Sequence, residues 1–368
     1  MPTSFLTCIR DIPDHRIAGM VTYPLDELLL TTLVGVLCGA EDFDDVESIG
    51  SELESWMGRF LPFASGIATA QTFRRFFRLV DARALERAFG SWVASFQDVI
   101  KGVVAIDGKT LRASRDAGPA SKALHMVSAY ACETGMVIGQ RPVDGKSNEI
   151  TAIPELLGML ALEGAIVTID AMGTQSAIAA KIVAGDADYV LALKGNQGSL
   201  HDDVRLFFGD AALCAGCNQQ SETGVGHGRI EERACQAAGD IGWLVQRHPQ
   251  WTKLRSIAAI TATRTDKKSG RSSTETRYYI SSLNPDAAAI LKAVRSHWRI
   301  ENNLHWQLDV TFGEDHSRLR KDHAALNFAV FRRFALNMLK REPTKAPIKR
   351  KRLKALMNET FRARILAC

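Results

Sequence analysis

The sequence has no hydrophobic run long enough to span a membrane and no secretion signal. Its longest apolar stretch, residues 28–38, is far shorter than the roughly 20 residues that a transmembrane helix needs. The first residues include Arg10 and Asp11 and do not show the basic-then-apolar pattern of a signal peptide. Internal repeats and low-complexity tracts are also missing. These absences predict a cytoplasmic protein without a membrane partner.

Cysteine is scarce and irregularly placed. The chain has seven cysteines, an odd number scattered through a long sequence, which does not fit a disulfide framework. Reduced thiols are therefore the expected state. One local group, Cys214, Cys217, His227 and Cys235, has the residue types that bind zinc. Its spacing is irregular and its flanks are small residues, so ordinary loop thiols are the alternative.

The chain also lacks a strong excess of charge of either sign. Its 46 Lys and Arg residues against 41 Asp and Glu residues give a formal charge of +5, a weak argument for a polyanionic partner. A hydrophobic content of 46% and a charged content of 24% exclude the disordered class. At 368 residues the chain exceeds one typical core, so more than one domain is expected.

Periodicity distinguishes the two ends of the chain from its centre. From Tyr23 to about Trp92 apolar residues recur at intervals of three and four, which predicts an all-α N-terminal domain over residues 1–98. This domain is a candidate for DNA binding through its arginines, although a solvated helix face explains each of them alone. The last segment, residues 341–368, predicts a basic tail, which is either a solvated end or a DNA contact. The arginines of the N-terminal domain are Arg59, Arg74, Arg75, Arg78, Arg83 and Arg87.

Residues 99–340 predict a mixed α/β domain. From Gly102 to Lys194 the pattern gives the order β-β-β-α-β-α-β, with a turn at residues 133–135. That order predicts a mixed sheet with helices on both faces, as in a ribonuclease-H-like fold. The alternation breaks at about residues 196–288, which predict a β-rich insertion of polar loops and two strands. A helix from Ala287 to Leu308 follows.

Three acidic residues occupy positions that suit metal binding. Asp107 and Asp170 each end a short run rich in β-branched residues, which indicates a carboxylate at the end of a buried strand. Glu301 lies on the late helix. Hard cations such as Mg²⁺ prefer oxygen ligands, and two ions can activate an attacking oxygen and stabilise a leaving one. An aspartate that caps a turn is the alternative for either strand end alone.

The helix that carries Glu301 also carries two histidines on the same face. Residues four apart share a helical face, so His297, Glu301 and His305 form one stripe, flanked by Trp298 and Trp306. The spacing differs from the His-Glu-x₂-His motif of zinc hydrolases, which argues against that class. A glutamate satisfied by a neighbouring arginine is the alternative for Glu301 alone.

Four motifs resemble those of a known family. They are AIDGKTLR at residues 105–112, TIDAM at 168–172, LALKGNQ at 191–197 and HWRIENNLHWQLDV at 297–310. With the helical N-terminal region, they resemble the DDE-type insertion-sequence transposases of the H-repeat-associated group over nearly the whole chain. The resemblance implies that Asp107, Asp170 and Glu301 are the catalytic acids and metal ligands, holding two Mg²⁺ or Mn²⁺ ions.

The resemblance also implies a reaction and a partner. The expected function is a nucleoid-associated DNA transposase that cleaves the ends of an insertion sequence and joins them to target DNA, as a homodimer on double-stranded DNA. The alternatives are a ribonuclease-H-like host nuclease without strand transfer and a catalytically inactive DNA-binding descendant. The expected DNA contacts are Lys109, Arg112, Lys194, His297, Arg299 and His305, together with Arg318 and Arg320.

The third motif region departs from the wider family. Many relatives carry Tyr-x₂-Arg-x₃-Glu-x₆-Lys around the third acid, whereas His297 and Leu308 occupy the Arg and Lys positions here. We interpret the difference as subgroup variation, and it leaves the use of a hairpin intermediate open. Glu314 and Asp315 follow closely in sequence and are the replacement candidates if Glu301 lies far from both aspartates.

Overall fold

The computed structural model describes residues 4–96, 100–115, 122–143, 148–226 and 228–368. In these ranges no helix is both long and apolar enough to cross a membrane. The strands are β1 (Val103–Leu111), β2 (Leu124–Ala131), β3 (Met136–Val143), β4 (Ile166–Ile169), β5 (Asp188–Leu193), β6 (Asn218–Gly226), β7 (Arg229–Ala238), β8 (Ser256–Asp266) and β9 (Ser272–Ser281).

The helices precede, separate and follow the strands. Between α11 and α12 the chain forms one π-helical turn, Glu301–His305. The helices are α1 (Phe5–Cys8), α2 (Leu25–Cys38), α3 (Phe43–Met57), α4 (Ala70–Leu79), α5 (Ala82–Ala94), α6 (Glu149–Leu157), α7 (Ser176–Ala184), α8 (Gly198–Gly209), α9 (Ala211–Cys214), α10 (Gly242–Arg247), α11 (Ala287–His297), α12 (Trp306–Val310), α13 (Ala324–Arg341), α14 (Ile348–Met357) and α15 (Glu359–Leu366).

The described strands form one mixed sheet in the order β3-β2-β1-β4-β5-β9-β8-β7-β6. Strands β1, β4 and β5 are parallel neighbours, and β2 and β3 add an antiparallel meander to β1. The predicted order β-β-β-α-β-α-β and the mixed α/β class are confirmed. The insertion extends this sheet, because β9 pairs antiparallel with β5.

The first half of the insertion differs from the prediction. We expected polar loops around residues 222–228, but β6 and β7 pair along nine positions, from Asn218 and Ala237 to Gly226 and Arg229. The loop prediction was wrong because β6 is an edge strand whose residues are almost all exposed. A strand with solvent on both faces has no apolar alternation for a sequence pattern to reveal.

Helices cover both faces of the central strands. α11 packs on β1, β4 and β5, whereas α6 packs on β2 and β3 and against α7. A side chain at Gly108 would collide with Glu149 of α6. Because successive residues of a strand point to opposite faces, Asp107 points away from the α6 and α7 layer. The face that carries Asp107 is therefore the face covered by α11.

The helix α13 shares its core with the N-terminal helices. Phe328 packs edge-on against Phe43 at 5.1 Å between ring centroids, and Phe334 packs against Phe89 at 4.9 Å. Phe331 contacts Phe77 in the same way. The helical region predicted over residues 1–98 is therefore continuous in packing with the end of the segment predicted over 99–340. Deletion of residues 1–95 would expose the aromatic rings of α13. The predicted DNA binding by the N-terminal helices is therefore better tested by point substitutions of their arginines than by deletion.

The segment after residue 340 is folded into α14 and α15. Arg352 donates to the carbonyls of Val36 and Ala40 at the end of α2, where helical carbonyls have no partner of their own. Lys351 donates to the carbonyl of Leu339 at 2.8 Å. The expectation of a solvated or DNA-tracking run is thus wrong for Lys351 and Arg352, which are buried. The exposed basic residues of this segment include Lys345, Lys349, Arg350 and Lys354.

Candidate metal centre

Two neighbouring parallel strands bring Asp107 and Asp170 to the same place. β1 and β4 pair from Val103 and Ile166 to Ile106 and Ile169, and the two aspartates are the next residues. Parallel neighbours lie about 4.8 Å apart, so the two carboxylates emerge side by side. Asp107 is not at the end of its strand, because β1 continues to Leu111 through its pairing with β2.

The carboxylate of Asp170 is held by the backbone that follows it. Its Oδ1 accepts hydrogen bonds from the amides of Met172 at 3.0 Å and Gly173 at 3.4 Å. Two side chains of the LALKGNQ motif support this loop. Asn196 donates to the carbonyl of Ala171 at 2.7 Å, and Gln197 donates to the carbonyl of Thr174. We had not predicted a role for either amide, although both lie in a motif that carries the family resemblance.

The π-helical turn places Glu301 and His305 beside Asp107. One ligand atom from each of these three residues lies within 4.8 Å of the other two. His305 Nδ1 is 3.5 Å from Asp107 Oδ2 and 3.5 Å from Glu301 Oε2. The structure therefore brings Glu301, the predicted third acid, next to Asp107. It also places His305, which we expected to contact DNA, in the buried part of the same cluster.

The electrostatics of the cluster favour a bound cation. Burial raises the pKa of Asp107 to about 8, with further contributions from the carboxylates of Glu301 and Asp170. The hydrogen bond from His305 lowers the pKa of Glu301. The side chain of Asp107 is 17% exposed and that of Glu301 is 50% exposed, so a shared proton belongs on Asp107. A divalent cation would replace that proton and remove the repulsion between the carboxylates.

The donor set fits a divalent metal ion. The ring nitrogen of His305 that faces the two carboxylates is Nδ1, 3.5 Å from an oxygen of each, whereas the buried Nε2 points elsewhere and has no hydrogen-bond partner among the described residues. Carboxylate oxygens suit Mg²⁺ and Mn²⁺, and imidazole is accepted by many transition metals. Asp107, Glu301 and His305, with Asp170 on the neighbouring strand, are the residues that would hold such an ion.

The cysteine group predicted as a zinc alternative finds no support. Within the described ranges, one group of three or more His, Cys, Asp or Glu residues is arranged so that it could hold a metal ion. That group is Asp107, Glu301 and His305. Cys235 pairs with Gln220 inside the β6–β7 hairpin, whereas Cys214 and Cys217 precede the hairpin. The fourth member, His227, lies outside the described residues.

Lys109 is surrounded by three carboxylates. It follows Asp107 by two residues on β1 and is 8% exposed. Its Nζ is 2.6 Å from Asp309, 3.0 Å from Asp315 and 3.9 Å from Glu314. Lys109 is therefore committed to an internal network and does not present its charge to DNA, contrary to expectation. The same contacts occupy Glu314 and Asp315, the replacement candidates for the third acid.

The other predicted DNA contacts differ in their accessibility. His297 Nδ1 lies 3.0 Å from Thr168 Oγ1, and burial lowers the pKa of His297. Arg299 is exposed but donates to the carbonyl of Cys132 at 2.9 Å. Lys194 is exposed, and the side chain of Arg112 is 85% exposed. Of the remaining pair, Arg318 is exposed, and Arg320 is exposed while donating to the carbonyl of Ala113.

Comparison with known proteins identifies the family. Residues 6–93 match the model described as DDE_Tnp_1-associated, and residues 100–338 match the Transposase DDE domain. YncI of Escherichia coli O157:H7, which carries a transposase name, is 38% identical over 99% of this chain and 94% of its own length. The H repeat-associated YhhI of Escherichia coli K12, also named as a transposase, is 36% identical over 98% of this chain and 96% of its own length.

Two further matches complete the comparison. YbfQ of Escherichia coli K12, named an inactive transposase, is 33% identical over 17% of this chain and 75% of its own length. A solved piggyBac transposase synaptic complex with hairpin DNA is 11% identical, with a TM-score of 0.44 over 95% of this chain and 76% of that chain. On the family-model and full-length sequence matches, the chain belongs to the family of transposases with a DDE domain.

Proposed function

We propose that the protein is an active transposase that cleaves the ends of an insertion sequence and joins them to target DNA. The observation that carries this proposal is the convergence of Asp107, Glu301 and His305, with Asp170 on the adjacent strand, in a chain of the DDE family. We also propose that the strands from β1 to β5 form a ribonuclease-H-like core, which their order and mixed pairing support.

The residues of the site have separable tasks in this proposal. Asp107, Asp170 and Glu301 supply carboxylate oxygens, and His305 lies between two of them and supplies a nitrogen ligand. Two bound Mg²⁺ or Mn²⁺ ions would activate the attacking oxygen and stabilise the leaving oxygen of each phosphoryl transfer. The backbone amides at residues 172 and 173 fix Asp170, so the aspartate is already oriented before DNA binds. Such preorganisation lowers the cost of reaching the reactive geometry.

A cleavage and joining assay tests the proposal. The full chain is incubated with DNA that carries the inverted ends flanking its gene, with supercoiled target DNA and with Mg²⁺. We expect nicked ends and covalently joined products, both lost in EDTA. Cleavage without joining would favour the host-nuclease alternative. End binding without cleavage would favour an inactive descendant, and the relative YbfQ is named as an inactive transposase.

We propose that the protein works as a homodimer on double-stranded DNA, because joining both ends of one element calls for two active sites. Sedimentation of the protein with and without end DNA measures the number of chains in the complex. We expect two chains for each pair of ends. A single chain that joins both ends would contradict the proposal.

We propose that Arg112 and Lys194 contact the DNA backbone close to the metal centre. Arg112 follows β1, which carries Asp107, and Lys194 follows β5 and lines a cavity of about 270 Å³ together with Asp170. Replacement of both by Ala should weaken binding to end DNA and to random DNA alike. The log–log salt dependence should flatten by roughly 0.9 for each phosphate that the variant no longer neutralises.

The control for this measurement is Lys181→Ala. Lys181 is exposed on α7, in the layer opposite the face of Asp107. Filter binding at several salt concentrations gives the slope for each variant. A slope equal to that of the wild type in the Arg112 and Lys194 double variant would show that neither side chain meets a phosphate.

A further inference from the structure

The π-helical turn at residues 301–305 depends on contacts from outside its own helix. π-turns are rare in proteins and occur mainly as single turns inside α-helices, frequently at functional sites. Each residue of an α-helix advances by about 100° around the axis. An α-helix also keeps residues four apart, such as Glu301 and His305, on one face, so the turn does not decide whether these two residues face each other. The one extra residue of the turn shifts the helix that follows by about that angle relative to the helix that precedes it. Whatever stabilises the turn therefore sets how this segment is rotated relative to Asp107.

The middle residue of the turn, Asn303, is held by Lys340 from α13. The Lys340 ammonium group donates to the carbonyl of Asn303 at 2.9 Å, to the carbonyl of Gly135 at 2.7 Å and to the hydroxyl of Tyr130 at 3.0 Å. An ammonium group has three donors, and here all three have an oxygen partner. Lys340 thus connects the turn with the β2–β3 hairpin.

Tyr130 completes the anchor. Its hydroxyl also interacts with the side chain of Asn303, and the ammonium group of Lys340 lies 4.7 Å from the centre of its ring. Tyr130 is on β2 and pairs with Ala105 of β1, two residues before Asp107. The strand pair that carries Asp107 and the turn that carries Glu301 and His305 are therefore tied together through two side chains.

We propose that Lys340 is a positioning residue of the metal centre, which together with Tyr130 holds the π-helical turn in the register that directs Glu301 and His305 toward Asp107. This inference rests on the proposed function, because it assumes that these three residues bind the catalytic metal. It assigns Lys340 no contact with metal or DNA.

The experiment measures Mn²⁺ binding by the full-length protein at one fixed pH, by electron paramagnetic resonance, together with cleavage as a function of Mn²⁺ concentration. The variants are Lys340→Met and Tyr130→Phe, and Lys181→Met is the matched control. Because outer-shell partners typically contribute 10–100-fold to metal affinity, we expect Lys340→Met to weaken Mn²⁺ binding by at least about 10-fold. The Mn²⁺ concentration for half-maximal cleavage should rise by the same factor, whereas the maximal rate at saturating Mn²⁺ should be retained.

A purely structural role gives a different result. It would lower the maximal cleavage rate in proportion to the folded fraction and leave Mn²⁺ affinity unchanged, which would overturn the inference. If circular dichroism shows that Lys340→Met is unfolded, Tyr130→Phe decides, because it keeps the ring and removes only the hydroxyl. Unchanged Mn²⁺ affinity in that variant overturns the inference, and weakened affinity supports it. Failure of the wild type to bind Mn²⁺ would instead refute the metal centre itself.

Discussion

Replacement of Asp107 by Asn, or of Glu301 by Gln, is expected to abolish DNA cleavage while the affinity for element ends is retained. Each change removes an anionic oxygen from the cluster that would hold the metal and keeps the size of the side chain. Metal assistance supplies several kcal/mol of transition-state stabilisation, so the cleavage rate should fall by roughly 10³-fold or more. Asp170→Asn should behave in the same way. Cleavage kinetics and end binding are measured in parallel.

The control for these variants is Glu163→Gln. Glu163 is an exposed acid that precedes β4, at the opposite end of the strand from Asp170. The Glu163→Gln variant should cleave DNA at the same rate as the wild type. Thermal unfolding without metal separates loss of chemistry from loss of fold, because removing one of several converging carboxylates relieves repulsion and should not lower the melting temperature. Cleavage within 10-fold of the wild type by Glu301→Gln would show that another residue supplies the third ligand.

Replacement of Lys109 by Met is expected to be strongly destabilising. Lys109 is the cation between Asp309 and Asp315, and it also approaches Glu314, whose other partner is Arg333 at 2.8 Å. Breaking a buried ion pair by removing one partner costs about 3–5 kcal/mol. Since Asp309 and Asp315 are partly exposed, we expect a loss of about 3 kcal/mol in the free energy of unfolding. Urea denaturation measures it.

A second substitution provides the matched control for Lys109. Asp309→Asn removes one of the carboxylates that Lys109→Met leaves without a cation. The double variant should therefore regain part of the lost stability, which is the signature of a direct interaction in a double-mutant cycle. A change below about 0.5 kcal/mol in Lys109→Met would place the lysine among ordinary surface residues. In that case Lys109 would again be a candidate for DNA contact.

The central strands and two of the three acids were within reach of the sequence. The strands β1 to β5 all lie between Gly102 and Lys194, where the pattern predicted them. Strands that are buried on both faces have short, continuous apolar sequences, and Asp107 and Asp170 each follow such a sequence. The local pattern placed each aspartate directly after its apolar run, and the parallel pairing of β1 with β4 brings the two carboxylates together.

The sequence did not reveal the edge strand β6 or which basic residues are buried. β6 has solvent on both sides, so its composition resembles that of a loop. Lys109, Lys351 and Arg352 have the same residue types as surface cations, but each is buried against oxygen acceptors from distant parts of the chain. Burial of a charge depends on which acceptors the fold brings to it, and residue type does not encode that.

By itself the sequence determined the family, the order of the central strands and the position of two strand-borne aspartates, because motifs and periodicity are properties of neighbouring residues. The family resemblance also named Glu301, but only the tertiary structure decided that His305 lies with Glu301 beside Asp107. A helical pattern of period 3.6 gives no sign of a π-helical turn, and this turn is held by Lys340 and Tyr130 from other elements. The geometry of the centre is therefore set by long-range contacts, which no local pattern contains.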